Sequence, residues 1–166
     1  MQKTRLFIFV SVIFIGCYNN RHTPFITGEE GKPLPSASLL LPDSISKVNL
    51  ANVPGGEPIV VFFFSPKCPY CRAQLREMTQ KMDELKKARF YLASYSGFKS
   101  FKQLYNEFEL IKYPNVTAGV DYANSVGKYF KLKGYPFTAI YSPQKKLRRA
   151  YLGKVSVDLI ESEIGK

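Results

Sequence analysis

The chain has 166 residues, a formal net charge of +11 at pH 7, 45% hydrophobic and 14% aromatic residues, three cysteines and one histidine. That length bounds the molecule to one domain with a real core plus an appendage, and the aromatic content excludes a disordered polar chain. So few cysteines and histidines leave little room for a structural zinc centre, which takes four ligands.

Lys3 and Arg5 precede an apolar run from Leu6 to Ile15, followed by Gly16-Cys17. The run falls well short of the roughly 20 residues needed to cross a bilayer, so residues 1–16 read as a secretory signal. Phe14-Ile15-Gly16-Cys17 resembles a bacterial lipobox, with Phe14 in place of the usual leucine and Ile15 in place of the usual small residue. The resemblance implies that Cys17 is lipidated and that the protein is exported and anchored to a bacterial membrane, facing the periplasm. It also gives a role to the odd cysteine; the alternative is ordinary signal cleavage, with Cys17 removed or left free. Residues 17–31, with Asn19, Asn20, Thr23, Pro24, Gly28 and Glu29, read as a polar tether, and the folded domain as residues 32–166. His22 falls in the tether and has no second histidine with which to build a Cys–His pair.

Within the domain, Leu39-Leu40-Leu41 and Val48-Asn49-Leu50, separated by Pro42-Asp43-Ser44, predict an N-terminal hairpin. Ile59 to Phe64, β-branched and aromatic without a charge, predicts a strand buried on both faces. The chain then reads Ser65-Pro66-Lys67-Cys68-Pro69-Tyr70-Cys71, and Cys71, Leu75, Met78, Met82 and Leu85 follow at helical intervals as one apolar stripe, to an end near Lys86-Lys87. Pro69 suits the first helical turn, where its missing N–H has no partner anyway. Cys68 therefore lies at a helix N-terminus, where free amides and the helix dipole favour a thiolate. It is the expected nucleophile, and Cys71, one turn along on the core face, the resolving thiol. Two other readings of C-x-x-C stay open at this point, a structural disulfide and half of a zinc site, although Cys17 and His22 alone remain to complete the latter.

Further strands are expected at Arg89 to Tyr95, Val116 to Val120, Phe137 to Tyr141 and Leu147 to Leu152, with helices at Lys99 to Leu110, Tyr122 to Leu132 and Ser156 to Ile164. This order predicts an α/β sheet with helices on both faces. Pro136 opens a strong strand and cannot donate to its ladder, which would leave a neighbouring edge open to another chain.

The strand into Cys68-Pro69-Tyr70-Cys71, the helix stripe and Gly134-Tyr135-Pro136 before a strand, turn and strand resemble a thioredoxin-like fold. More narrowly, they resemble the membrane-tethered TlpA and ResA type thiol–disulfide oxidoreductases of the redoxin, or AhpC/TSA-like, superfamily, from about Gly31 to Ile164. The resemblance implies a central mixed sheet flanked by helices, dithiol exchange through Cys68 and Cys71, and a cis-proline loop at Pro136 that receives substrate backbone. Lys67, Pro69, Tyr70 and Tyr135 would line the substrate site. It implies no cofactor beyond a redox-active Cys68–Cys71 disulfide and no metal. It favours reduction of disulfides in exported proteins, fed by a membrane electron donor; an oxidase or isomerase is the alternative.

Three positions depart from that pattern. Lys67 replaces the aromatic residue usual before the first cysteine, Gln74 the acid frequent three residues after the second, and Phe62 the buried aspartate that thioredoxins carry six residues before the first. The usual proton acceptors for Cys71 are thus missing, leaving Glu77, Asp121 or water. The threonine usual before a peroxidatic cysteine is absent as well, which disfavours peroxidase chemistry.

Basic residues gather at Lys86-Lys87-Arg89, Lys128-Lys131-Lys133 and Lys145-Lys146-Arg148-Arg149. With no nucleic-acid recognition motif, anionic lipid or an acidic partner is the expected counterpart. The rival class is a non-enzymatic binding or metal-chaperone lipoprotein. A Sco-type copper chaperone would need a longer cysteine spacing and a distal histidine.

Overall fold

A computed structural model describes residues 22–166. The expected signal segment and the expected lipidation site, Cys17, lie outside the described residues. Seven strands, β1 (Ser38–Leu40), β2 (Lys47–Asn49), β3 (Ile59–Phe64), β4 (Arg89–Ser94), β5 (Val116–Val120), β6 (Phe137–Tyr141) and β7 (Leu147–Leu152), form one sheet in the order β2-β1-β5-β4-β3-β6-β7. The central strands β3, β4 and β5 run parallel; all other pairings are antiparallel.

The helices are α1 (Pro69–Gln80), α2 (Phe98–Glu107), α3 (Ser125–Tyr129) and α4 (Val157–Ile164). Each residue of β3 is buried, because the sheet is covered on both sides. Val60, Phe62 and Phe64 meet Leu75 and Met78 of α1, Phe101 and Leu104 of α2, and Ile160 and Ile164 of α4 in one core. Ile59, Val61 and Phe63 belong to the other, with Leu34, Leu50, Val126 of α3 and Phe130. The two crossovers β3-α1-β4 and β4-α2-β5 step across the sheet in one direction, and their common right-handedness puts α1 and α2 on the same face.

Several boundaries differ from expectation. Helix α1 stops at Gln80, and residues 81–87 continue as turns. Met82 and Leu85 nevertheless stay buried, since Asn115 Nδ2 donates to the Leu85 and Ala88 carbonyls and holds the turns onto the core. Helix α2 gives way at Phe108 to a short 3-10 turn at Leu110–Lys112. The third helix is only five residues long, with the left-handed Asn124 before it and Phe130 ending it.

Part of the expected tether lies on the sheet. The Phe25 N–H donates to the Ala150 carbonyl at 2.7 Å, the Gly31 N–H to Leu147 at 2.8 Å, and the Phe25 ring meets Phe137 edge-on. This segment covers the outer edge of β7, which would otherwise offer unpaired backbone groups to another chain. The open edge expected beside Pro136 is likewise filled: β6 lies between β3 and β7, and the Pro136 carbonyl accepts from the Gly153 N–H.

Candidate active site

Strands β3, β4 and β5 end together, Phe64 opposite Ser94 and Ser94 opposite Val120. Whatever follows them shares the carboxyl edge of the sheet, where open α/β folds place their sites. The turn Ser65-Pro66-Lys67 carries the chain from β3 to Cys68, whose N–H donates to the Ser65 carbonyl. Cys68 caps α1, with Pro69 in the first turn. Its Sγ, 3.4 Å from the Cys71 nitrogen, accepts that amide proton, and the thiol faces the Tyr135 carbonyl at 3.9 Å. The Tyr135–Pro136 bond is cis.

Both cysteines are free thiols, Cys68 half-buried and Cys71 buried. Burial, with the Cys68 sulfur alongside, pushes the Cys71 thiol well above the ordinary cysteine range. One sulfur thus meets solvent and an amide donor, while the other waits behind it as a neutral thiol.

Gln74 lies a turn further along α1 and is wholly buried. Its Nε2 donates to Thr138 Oγ1 on β6 at 3.0 Å, and its Oε1 accepts from the Val155 N–H at 3.1 Å. The amide therefore does structural work where an acid would offer a base. Of the two carboxylate candidates, Glu77 receives Lys154 Nζ at 2.6 Å and the Val157 N–H at 3.1 Å. Burial opposes its charge, but these two donors outweigh it and hold the carboxyl below its ordinary value. Asp121 spends both oxygens on the Ser125 and Val126 amides at the start of α3. Neither carboxylate is free to serve Cys71.

The structure brings Cys68, Cys71, Pro69, Tyr135 and Pro136 together. Pro69 and Tyr70 are exposed beside Cys68, and Pro136 is buried behind Tyr135. Lys67 is exposed and lines a cleft with Arg72 and Glu107 towards α2. Arg72 donates to Glu107 and lies over the Phe108 ring. His22 is half-buried in the amino-terminal segment, and the described residues contain no group of three or more potential metal ligands. No motif in the sequence marks Tyr95 or Tyr122 as a site residue; both follow parallel strands onto the edge that carries Cys68, a placement that only the strand pairing reveals.

A model of the AhpC/TSA family matches residues 31–148. No curated protein matches the chain in sequence. Among solved structures, the chain is similar to a secreted Mycobacterium tuberculosis disulfide oxidoreductase homologous to E. coli DsbE, with a TM-score of 0.65 at 15% identity over 78% of this chain and 95% of that one. It is similar also to DsbF of the same organism (TM-score 0.66, 18% identity, 78% and 93% covered). StoA from Bacillus subtilis aligns with a TM-score of 0.58 at 13% identity over 78% and 97%. At these identities the likeness is one of fold, and that fold is thioredoxin-like.

Proposed function

The chain belongs to the AhpC/TSA family, and from that premise we propose that it exchanges dithiol for disulfide through Cys68 and Cys71, reducing disulfides of exported proteins. What carries the reading is the position of the Cys68 sulfur, which caps α1, accepts the Cys71 amide and faces the Tyr135 carbonyl with a buried second thiol behind it. As a thiolate, Cys68 attacks one sulfur of a substrate disulfide; that S–S bond breaks, one substrate thiolate leaves, and a mixed disulfide forms on Cys68. Cys71 loses its proton and attacks the Cys68 sulfur, closing Cys68–Cys71 and releasing the second substrate thiol. The substrate gains two electrons and the protein loses them, so each cycle needs a dithiol donor to restore the pair. A membrane-bound donor suits an anchored enzyme. Tyr135 offers its carbonyl to substrate backbone, while Pro69, Tyr70 and Lys67 supply the exposed rim.

The secreted Mycobacterium tuberculosis disulfide oxidoreductase that shares this fold supports the chemistry. The lipobox-like end of the leader supports anchoring through Cys17 at the periplasmic side of a membrane. No described helix is long and apolar enough to cross one. Cys17→Ser should move the protein from the membrane to the soluble fraction of a bacterial host; retention in the membrane would contradict the anchor.

The exchange is tested by trapping. Reduced Cys71→Ser protein mixed with a disulfide-bonded exported protein should accumulate a reducible adduct on Cys68. Cys68→Ser should form none and lose transfer by at least about 10³-fold. Undiminished disulfide reduction by Cys68→Ser would overturn the assignment.

A further inference from the structure

Four tyrosines on the active-site edge remain outside both cores: Tyr70 is 68% exposed, Tyr95 47%, Tyr122 58% and Tyr135 43%. Two of them are held in place by one buried ring. Tyr95 stacks on Phe63 at 6.3 Å and 21°, and Tyr135 meets Phe63 edge-on at 6.5 Å. Phe63, Tyr95, Asn124, Leu132, Gly134 and Tyr135 line a cavity of about 190 Å³ with Lys133 on its wall, and a shallower hollow of about 330 Å³ continues past Tyr95 to Tyr122. The cavity alone is smaller than the about 300–1,000 Å³ usual for small-molecule and cofactor sites, which leaves it room for a single side chain.

Its position says whose side chain. Tyr135 forms the wall of the cavity and also presents its carbonyl to Cys68 Sγ. A polypeptide disulfide delivered to Cys68 must therefore lay its neighbouring residues across Tyr135, beside the cavity mouth. Charge narrows the choice further. Lys133 on the cavity wall and the exposed Lys67 beyond Cys68 have no ion-pair partner among the described residues. Asp121, at the same edge, is buried and already bonded to the α3 amides, and Glu107 is paired with Arg72.

We infer that this cavity receives a bulky apolar side chain adjacent to the substrate cysteine, on an acidic polypeptide segment. Tyr95, Tyr122 and Lys133 then determine which disulfides the protein accepts. The inference rests on the thiol–disulfide exchange proposed above. Tyrosine suits this work because it offers a large rigid apolar face at little conformational cost, and the attraction between lysines and an acidic segment speeds encounter and weakens with salt.

The test uses the full chain, reduced, with short peptides whose one cysteine is disulfide-linked to thionitrobenzoate, so that attack by Cys68 releases a coloured thiolate. Three peptides flank the cysteine with Phe and Glu, Ala and Glu, or Phe and Lys; dithiobis(nitrobenzoate) itself, with no peptide, serves as reference. The Phe-Glu peptide should react about tenfold faster than the Ala-Glu peptide, the scale of discrimination an apolar pocket gives. It should also outpace the Phe-Lys peptide, by a margin that shrinks in high salt. Tyr95→Ala, which removes a wall, and Gly134→Leu, which obstructs the space, should each bring the Phe-to-Ala ratio close to one. The first carbon of a side chain at Gly134 meets no other atom within 4 Å, so the second variant starts from open space. Equal rates for all peptides, or a Phe preference that survives both substitutions, would overturn the cavity assignment while leaving the exchange chemistry standing. No reaction at Cys68 with any peptide or with the reference would instead contradict the exchange itself, and the cavity's role with it.

Discussion

Cys71 is the residue on which the proposed cycle turns, because it must become a thiolate in a place that resists one. Burial and the neighbouring Cys68 sulfur hold it protonated, and the groups that could take its proton are occupied. Gln74 bonds to Thr138 and Val155, Glu77 to Lys154 and Val157, and Asp121 to α3. Hydroxide or water is then the base. Since the thiol stays below its raised pKa throughout the working range, its thiolate fraction grows about tenfold per pH unit. Closure of the Cys68–Cys71 bond, followed by rapid quench and alkylation of the mixed disulfide, should accelerate about a hundredfold between pH 6 and pH 8. Gln74→Glu would place a buried carboxyl with a raised pKa one turn from Cys71. A general base is worth about 10²-fold or more, so this variant should close faster at pH 7 and show a flatter pH profile. A wild-type closure rate independent of pH would contradict the assignment of Cys71 as an unassisted resolving thiol.

At the scale of elements, the site depends on three parallel strands ending level, and the hairpin β1–β2 extends that sheet through one close contact. A Cβ added at Gly119 of β5 would come within 2.8 Å of both Leu39 Cβ and the Leu40 carbonyl of β1. Gly119→Ala must therefore push the hairpin outward, at a cost of about 1–3 kcal/mol. Its denaturation midpoint should fall accordingly while Cys68 keeps its reactivity; an unchanged midpoint would contradict close docking of β1 on β5. These elements differ in how readily the sequence reveals them. Burial on both faces demands an uninterrupted apolar run, so Ile59–Phe64 announces β3, and Cys71, Leu75 and Met78 announce α1 by period alone. The same period misleads beyond Gln80, because Met82 and Leu85 keep facing the core from turns that Asn115 holds. Contacts between distant residues leave no local trace. Gln74 finds Thr138 across 64 positions, Phe25 finds Ala150, and Tyr95 and Tyr122 reach the edge that carries Cys68 only through strand register.

For the whole molecule, the question is which way electrons flow. An oxidant of this class is one whose reduced form is stabilised; here the Cys71 amide donates to the Cys68 sulfur, while burial holds Cys71 as a neutral thiol. The proposed reductive direction rests on the resemblance to membrane-tethered reductases. The positive charge, +11 over the full chain and +9 without residues 1–16, would suit the proposed anchoring beside an anionic surface. The measurement that bears most directly on this account is the equilibrium reduction potential of the full chain, with Cys68 and Cys71 alkylated across a graded redox buffer and identified by mass. The account predicts one two-electron transition confined to Cys68 and Cys71, with a midpoint at or below about −220 mV. A midpoint near about −120 mV, where strong oxidants lie, would reverse the direction, and the absence of any paired transition would contradict dithiol exchange altogether.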